Sequence, residues 1–353
     1  MMKLFMILSN KFLFFIYYFF SSNKMLFLFM LFFSTLISIS SNSWIGCWIG
    51  LEINLLSFIP LISNTKNLLS SETSLKYFLI QSIASINLLF IILLNMYMMN
   101  FFNDNMLNMI LLNSPILMKL GSAPFHFWFP NIIEGLSWLN CFILMTWQKI
   151  TPMILLSYSY NFKFLIIIVI MNSIIGALGG ITQSSLRKMM SFSSINNLSW
   201  MILAIMISEN LWMNYFLIYF MLNFIICFMF YFFNLLYYNQ LFFFNLNLNL
   251  KMLLLLNFLS LGGLPPFLGF MPKWMMINFL MFNKMFLINF ILIMMSLILL
   301  FFYVRIMFSS LLFNHFKFKW LKSNLKLNLF NKINLLIFFS LIGLPSSTFL
   351  FYF

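Results

Sequence analysis

The sequence has very little charge and almost no acidic side chains. Of its 353 residues only 7% are charged, and five are Asp or Glu against nineteen Lys or Arg. About a quarter of the residues are charged in a soluble globular domain, so that class of protein is excluded. A hydrophobic share of 63% and a mean hydropathy of +1.03 indicate a membrane protein instead. Its apolar runs are continuous rather than alternating, which predicts an all-α polytopic protein.

Residues that bind metals or form disulfides are also scarce. There are two His and three Cys, and Cys47, Cys141 and Cys227 all lie in apolar segments. An odd, buried set of cysteines argues against a disulfide framework or a zinc site, and such residues commonly act as small apolar fillers. The sequence also lacks a Gly-rich phosphate loop, a Ser-His-Asp constellation and a cluster of metal ligands.

The formal net charge of +14 does not indicate a nucleic-acid partner. The basic residues stand in short connections between apolar runs, where they act as signals of membrane topology. We therefore expect no nucleic acid among the partners of this chain.

Apolar runs of about 20 residues are long enough to cross the hydrocarbon core of a bilayer. The sequence predicts about eleven such spans, which cover residues 25–41, 44–62, 75–98, 106–130, 137–157, 164–182, 189–207, 211–236, 250–282, 285–312 and 333–352. A further apolar stretch, 4–20, is a twelfth span, an interfacial helix or a signal-like leader. We expect residues 1–24 to be an extension of unassigned status and 25–353 to be a single transmembrane domain.

The positive charges divide unevenly between the two sides of the predicted bundle. The connections after odd-numbered spans hold Lys163 and Lys284, whose charges Asp104 and Glu209 offset. The connections after even-numbered spans, on the other side, carry the larger set, namely Lys66, Arg187, Lys188, Lys251, Lys317, Lys319, Lys322, Lys326 and Lys332. The positive-inside rule then places the residue 25 side and these connections inside, and the C-terminus outside.

Two predicted spans contain helix breakers. The span 106–130 has Gly121 and Pro124, and 250–282 has the run SLGGLPPFLGFMPKW. Proline removes a backbone donor and clashes with the preceding turn. Two broken helices indicate a transport site, and the alternative is a pair of lipid-facing kinks without function.

Four charged residues lie inside the predicted spans rather than at their ends: Glu52, Lys119, Lys149 and Lys273. At 1.5 Å per residue, Glu52 lies roughly 12 Å along its span, Lys119 roughly 20 Å and Lys149 roughly 18 Å. Charges at this depth are costly and usually functional.

These charges suit proton transfer, because burial disfavours a charged lysine and a nearby carboxylate favours it. Glu52 and Lys119 are therefore candidates for a switchable pair, and the alternative is a static ion pair between two helices. Lys149 and Lys273 would continue a line of titratable groups through the membrane. His126 follows the first break and is either a proton relay or a packing residue.

The seventh predicted span carries a cluster of polar side chains, namely Ser191, Ser193, Ser194, Asn196, Asn197 and Ser199. Polar groups in a bilayer need partners or water. The cluster therefore predicts either a hydrated channel between helices or hydrogen bonds that join them.

Several segments resemble a known family. They are GLEINLLSFIPL (50–61), KYFLIQ (76–81), KLGSAPFHFWFP (119–130), TWQKITP (146–152), SLRKMMSFSSI (185–195) and SLGGLPPFLGFMPKW (260–274). In this order they resemble the NADH dehydrogenase subunit 2 family of animal mitochondria, an antiporter-like membrane-subunit family of respiratory complex I. The resemblance runs from about residue 25 to 312, whereas 313–353 match only in hydropathy.

The resemblance implies a proton-translocating subunit in the membrane arm, with its two broken helices in inverted halves. NADH, FMN, iron–sulfur clusters and ubiquinone would be bound by other subunits, and this chain would hold no cofactor. Its partners would be other membrane-arm subunits and lipids of the mitochondrial inner membrane. The residue 25 side would face the matrix and the C-terminus the intermembrane space.

The resemblance also assigns roles to residues. The family's glutamate–lysine pair falls on Glu52 and Lys119, its central lysine on Lys149 and its exit-side lysine on Lys273. One position departs from many relatives, which carry a histidine where this chain has Asn197, and asparagine does not take up a proton at neutral pH. Two alternative functions remain at this point: a stand-alone cation/proton antiporter of related architecture, and a purely structural membrane subunit.

Overall fold

A computed structural model describes residues 22–64, 67–97, 105–243 and 248–312. Within these ranges the regular elements are all helices, apart from an isolated β-bridge between Ser185 and Tyr237. In chain order the helices are α1 (Ser22–Ser40), α2 (Trp44–Ile62), α3 (Leu68–Tyr97), α4 (Asn105–Leu120), α5 (Trp128–Gly135), α6 (Trp138–Met145), α7 (Trp147–Tyr158), α8 (Phe162–Ile181), α9 (Leu186–Ile207), α10 (Glu209–Phe233), α11 (Gln240–Phe243), α12 (Leu248–Gly262), α13 (Phe270–Phe282) and α14 (Phe286–Leu312).

Among the described residues, eight helical stretches are long and apolar enough to cross a membrane. They are α1, α2, α3, α6 with α7, α8, α9, α10 and α14. The two spans predicted to be broken are each divided, 106–130 into α4 and α5 and 250–282 into α12 and α13. The predicted span 333–352 and most of the extension 1–24 lie outside the described residues, so the total of eleven or twelve spans stays a prediction.

The chain divides into two compact units at residues 103 and 104. In the first, α1 packs on α2 and α2 on α3. The indole of Trp48 donates to the Ser85 carbonyl at 3.1 Å and so ties α2 to α3. At the start of α3, Lys76 and Glu72 form the local ion pair that their spacing predicts.

The second unit is built around α9, which packs against α5, α6, α7, α8, α10 and α13. Nearly every residue of α9 between Leu186 and Ile205 is buried, polar residues included. Gly176 lets the α8 backbone lie directly on α9, because a Cβ there would come within 2.6 Å of the Asn196 amide nitrogen. Small residues allow such close approach between membrane helices, where packing drives association.

The second unit gathers several of the connections predicted to share one side. Lys188 forms an ion pair with Glu134 at 2.6 Å, and Arg187 donates to the Glu134 carbonyl. The amide of Leu186 donates to the Leu236 carbonyl at 2.9 Å. Connections after the predicted fourth, sixth and eighth spans therefore meet, as the charge pattern requires, while the compartment they face stays a prediction.

Candidate functional site

The first interruption separates α4 from α5, and its freed backbone groups find partners elsewhere. The buried Ala123 amide donates to the Asn172 side-chain oxygen on α8 at 2.5 Å. The indole of Trp128 donates to the Met118 carbonyl at 3.1 Å. A broken helix inside a membrane is tolerated when protein groups satisfy its backbone in this way.

One predicted site residue lies just before this interruption and another lies within it. Lys119 lies in the last turn of α4 and its side chain is buried. His126 lies inside the interruption, where its Nδ1 is 3.3 Å from the Pro124 carbonyl and its ring centre is 4.2 Å from that of the tilted Phe127 ring. These contacts show how His126 is held, while its predicted part in proton transfer stays a prediction.

Lys149 is among the most deeply buried large side chains described, with 2% of its surface exposed. Its Nζ donates to the Ser194 carbonyl of α9 and to the Tyr219 hydroxyl of α10, both at 3.3 Å. The same nitrogen lies 5.4 Å from the centre of the Phe129 ring and 5.3 Å from that of Tyr219. These partners are all neutral, so oxygen dipoles and ring faces surround the amine nitrogen.

A further interruption lies beside Lys149, and sequence reasoning missed it. The predicted span 137–157 is divided at Thr146 into α6 and α7. The Lys149 amide donates to the Thr146 carbonyl at 3.1 Å, and the Met145 carbonyl at the end of α6 accepts the Tyr219 hydroxyl at 3.3 Å. Tyr219 therefore bonds both Lys149 and the end of α6. A signal for this break is weak, since the nearest proline, Pro152, is six residues away.

The second interruption, between α12 and α13, is held partly by its own lysine. The buried Lys273 on α13 donates from Nζ to the Gly262 carbonyl at the end of α12, at 2.9 Å. Gly263 has φ +83°, and a Cβ there would come within 2.9 Å of the Lys273 side chain. Left-handed backbone of this kind favours glycine, so Gly263 both turns the chain and leaves room for the lysine.

Side-chain contacts and helix packing connect Lys149 with the first and second interruptions. Phe129 of α5 covers Lys149, and its amide donates to the His126 carbonyl at 3.0 Å in the first interruption. The α13 helix, which carries Lys273, packs on α9 and α10, the two helices that supply the oxygen partners of Lys149. The structure therefore brings both interruptions close to the surroundings of Lys149.

Glu52 belongs to the first unit. It lies in the middle of α2, where its side chain is half-buried. Its pairing with Lys119 of the second unit stays a prediction.

The polar cluster of α9 satisfies most of its own hydroxyls. Ser191, Ser193, Ser194 and Ser199 each donate to the carbonyl three residues earlier, at 2.6–2.8 Å. Asn197 accepts the Tyr215 hydroxyl of α10 at 3.2 Å, which is a bond between helices. The bond from Tyr215 thus joins Asn197 to α10, and Ser193 and Ser194 also lie beside Tyr303 and Tyr219 of other helices. The hydrated channel stays a prediction.

Buried lysines beside interrupted membrane helices define the chain as an antiporter-like membrane protein. A family model described as "NADH:quinone oxidoreductase/Mrp antiporter, TM" matches residues 41–300. Among solved structures, a chain of respiratory complex I from Thermus thermophilus has a TM-score of 0.78 at 18% identity, covering 91% of this chain and 78% of that one. A chain of the Mrp complex from Dietzia sp. DQ12-45-1b has a TM-score of 0.70 at 14% identity, covering 79% and 59%. These structures share the fold.

Sequence comparison identifies a particular family within the antiporter-like membrane proteins. NADH-ubiquinone oxidoreductase chain 2 of Anopheles gambiae is 52% identical over 320 residues, which covers 88% of this chain and 92% of the relative. The protein of the same name from Locusta migratoria is 45% identical and covers 83% and 86%. The chain belongs to the NADH-ubiquinone oxidoreductase chain 2 family, which confirms the resemblance stated above.

Proposed function

We propose that this chain translocates protons as a membrane-arm subunit of mitochondrial NADH:ubiquinone oxidoreductase, with Lys149 at the centre of its proton path. The burial of Lys149 among neutral partners is the observation that carries the proposal. A lysine so placed has no fixed counter-charge among its described contacts. A charge that moves nearby therefore changes its proton affinity directly.

The proposed path has three steps. Charge movement at the Glu52–Lys119 pair changes the proton affinity of Lys149. Lys149 then exchanges a proton with Lys273 through ordered water, and Lys273 passes it to the exit side. His126 contributes as a relay at the first interruption, and Asn197 orders water without being protonated.

The chemistry that supplies energy lies in other subunits under this proposal. They bind NADH, FMN, iron–sulfur clusters and ubiquinone, and this chain binds none of them. The partners are the neighbouring membrane-arm subunits and the lipids of the inner mitochondrial membrane. Residue 25 and the even-numbered connections face the matrix, the C-terminus faces the intermembrane space, and the two interrupted helices belong to inverted halves.

The test is Lys149→Met in the assembled complex. We expect the complex to form with NADH oxidation still detectable, while the number of protons translocated per NADH falls. The exposed Lys163 at the start of α8 gives a matched control, because Lys163→Met removes the same charge outside the proposed path. An unchanged proton ratio in Lys149→Met contradicts the proposal.

Native separation of solubilised membranes distinguishes the second candidate function, a stand-alone cation/proton antiporter. The fold shared with a chain of an Mrp complex is the observation that favours it. Co-migration of the chain with NADH oxidation activity in one very large band supports the complex I proposal. A small band that exchanges cations for protons without NADH supports the antiporter.

A further inference from the structure

We propose that Tyr219 is a positioning residue that couples the protonation state of Lys149 to the helix interruption at Thr146. The inference rests on the proposed function, because it assumes that Lys149 gains and loses a proton during turnover. It concerns a contact that no sequence motif indicated.

The Tyr219 hydroxyl has two hydrogen bonds of equal length, and the side chains of Asn223 and Ser194 also lie beside it. This hydroxyl is 3.3 Å from the Lys149 nitrogen and 3.3 Å from the Met145 carbonyl. A phenol has one proton to donate and can also accept. While Lys149 is an ammonium, it can only donate, so Tyr219 accepts from Lys149 and gives its own proton to the Met145 carbonyl.

Loss of the Lys149 proton changes this arrangement. The neutral amine has a lone pair, so the Tyr219 hydroxyl can donate to Lys149 and withdraw from Met145. The proton that leaves Lys149 passes along the proposed path, and Tyr219 keeps its own proton in both states. The Met145 carbonyl at the end of α6 then loses a hydrogen bond, which is costly in a buried site. The charge state of Lys149 thus acts on the joint between α6 and α7.

The contact between Tyr219 and Lys149 is buried on all its described sides. Tyr219 is 3% exposed and Lys149 is 2% exposed, and the Phe129 ring covers the amine. Besides Lys149, the ionisable groups near the phenol are Tyr215 and Cys227 on α10 and Tyr303 on α14, and all three are buried. The Ser194 carbonyl of α9 anchors Lys149 when it is charged.

The first test is Tyr219→Phe in the assembled complex, which removes the hydroxyl but keeps the ring beside Lys149. We expect NADH-driven proton translocation to fall about tenfold, the factor that one hydrogen bond to a charged group contributes. Tyr215→Phe is the matched control. It removes a phenol one turn earlier on α10 that bonds Asn197 instead of Lys149, and we expect a smaller fall than in Tyr219→Phe.

The second test is the infrared difference spectrum between resting and NADH-reduced complex with labelled tyrosine. A change of hydrogen-bond acceptor shifts the phenol C–O band, and a purely structural Tyr219 gives no shift. We expect a band that disappears in Tyr219→Phe and in Lys149→Met but persists in Tyr215→Phe.

Normal translocation and an unchanged band in Tyr219→Phe overturn the inference, whereas Lys149→Met still fails to pump and the proposed function stands. Normal translocation in Lys149→Met overturns both. If Tyr219→Phe does not assemble, Tyr219→Gln and Tyr219→Leu replace it. Gln keeps a donor and an acceptor and Leu has neither, so equal translocation in the two variants also overturns the inference.

Discussion

The two interruptions that the sequence predicts, both in the second unit, are held by different means. In the first, groups from outside the interruption satisfy the freed backbone, including the Asn172 amide of α8. In the second, Lys273 itself bonds the Gly262 carbonyl across the break. The first interruption is thus supported by a neutral side chain of another helix, while the second includes a titratable group in its own support.

This difference teaches that a lysine beside a broken helix can be a structural partner as well as a proton carrier. When Lys273 gives up its proton, its bond to Gly262 changes from charge-assisted to neutral and so weakens. The geometry of the second interruption therefore depends on the proton that passes through it. The support of the first by Asn172 has no such dependence.

The largest expected effect is at Gly269, in the second interruption. A Cβ there would lie 1.7 Å from the Ser260 carbonyl oxygen, so Gly269→Ala forces α12 and the chain after it apart. We expect a loss of more than about 3 kcal/mol and no assembled complex, measured as the amount of chain in the large native band. Gly262→Ala is the control, since its Cβ would meet nothing closer than 3.5 Å. Normal assembly of Gly269→Ala would falsify this description of the break.

Gly263→Ala tests whether Lys273 acts at the second interruption as a proton carrier as well as a structural partner. Its φ of +83° costs an alanine about 1–2 kcal/mol, and its Cβ would lie 3.0 Å from the Lys273 nitrogen. We expect the complex to assemble in reduced amount and the proton ratio to fall further than the amount does. The measurement is protons translocated per NADH, normalised to assembled complex. Equal losses in the two quantities would show that Lys273 is not displaced.

Asn172→Leu tests the neutral support of the first interruption. It leaves the Ala123 amide buried without its acceptor, which costs about 1–3 kcal/mol. We expect a lower thermal midpoint of the solubilised complex. Asn289→Leu removes a buried asparagine of α14 and leaves the bond between Asn172 and Ala123 in place, so it serves as the control. Equal shifts in the two variants would mean that the bond to Ala123 has no particular importance.

Trp128→Phe has the smallest expected effect. It removes the bond from the indole to the Met118 carbonyl and keeps an aromatic ring, at a cost of about 0.5–1.5 kcal/mol. Trp212→Phe is a matched control, because the buried Trp212 indole makes no hydrogen bond within the described residues. The readout is again the thermal midpoint, and a larger fall in the Trp212 variant would contradict the prediction.

Much of the fold could be predicted because its signals are local. Apolar runs of bilayer length predict the helices, and Gly121, Pro124, Gly262 and Gly263 mark the two predicted interruptions. The burial of Lys119 and Lys149 followed from their depth in those runs, whereas Glu52, which lies at a similar depth, is half-buried. The high cost of a charge at that depth makes such residues easy to select from a sequence.

The partners of these residues could not be predicted, because they come from distant parts of the chain. Tyr219 stands 70 residues from Lys149 and Asn172 stands 49 from Ala123. The break at Thr146 contains neither glycine nor proline, and it is held by a bond from α10. A lone asparagine in the apolar run of α8 was the signal available for Asn172, since polar groups in membrane helices usually have a partner.

The contact between α8 and α9 at Gly176 affects which motions can accompany proton transfer. At Gly176 the two backbones meet with no side chain between them, and at Gly179 the Phe192 ring of α9 packs tightly against α8, so the two helices have little room to slide or tilt. Collective helix shifts take microseconds to milliseconds, whereas exposed side chains reorient in picoseconds to nanoseconds. We therefore expect the core around α9 to stay still during turnover. The Tyr219 hydroxyl and the Lys149 amine then change partners while the helices around α9 keep their positions. We expect motions on the microsecond to millisecond timescale in other subunits of the complex.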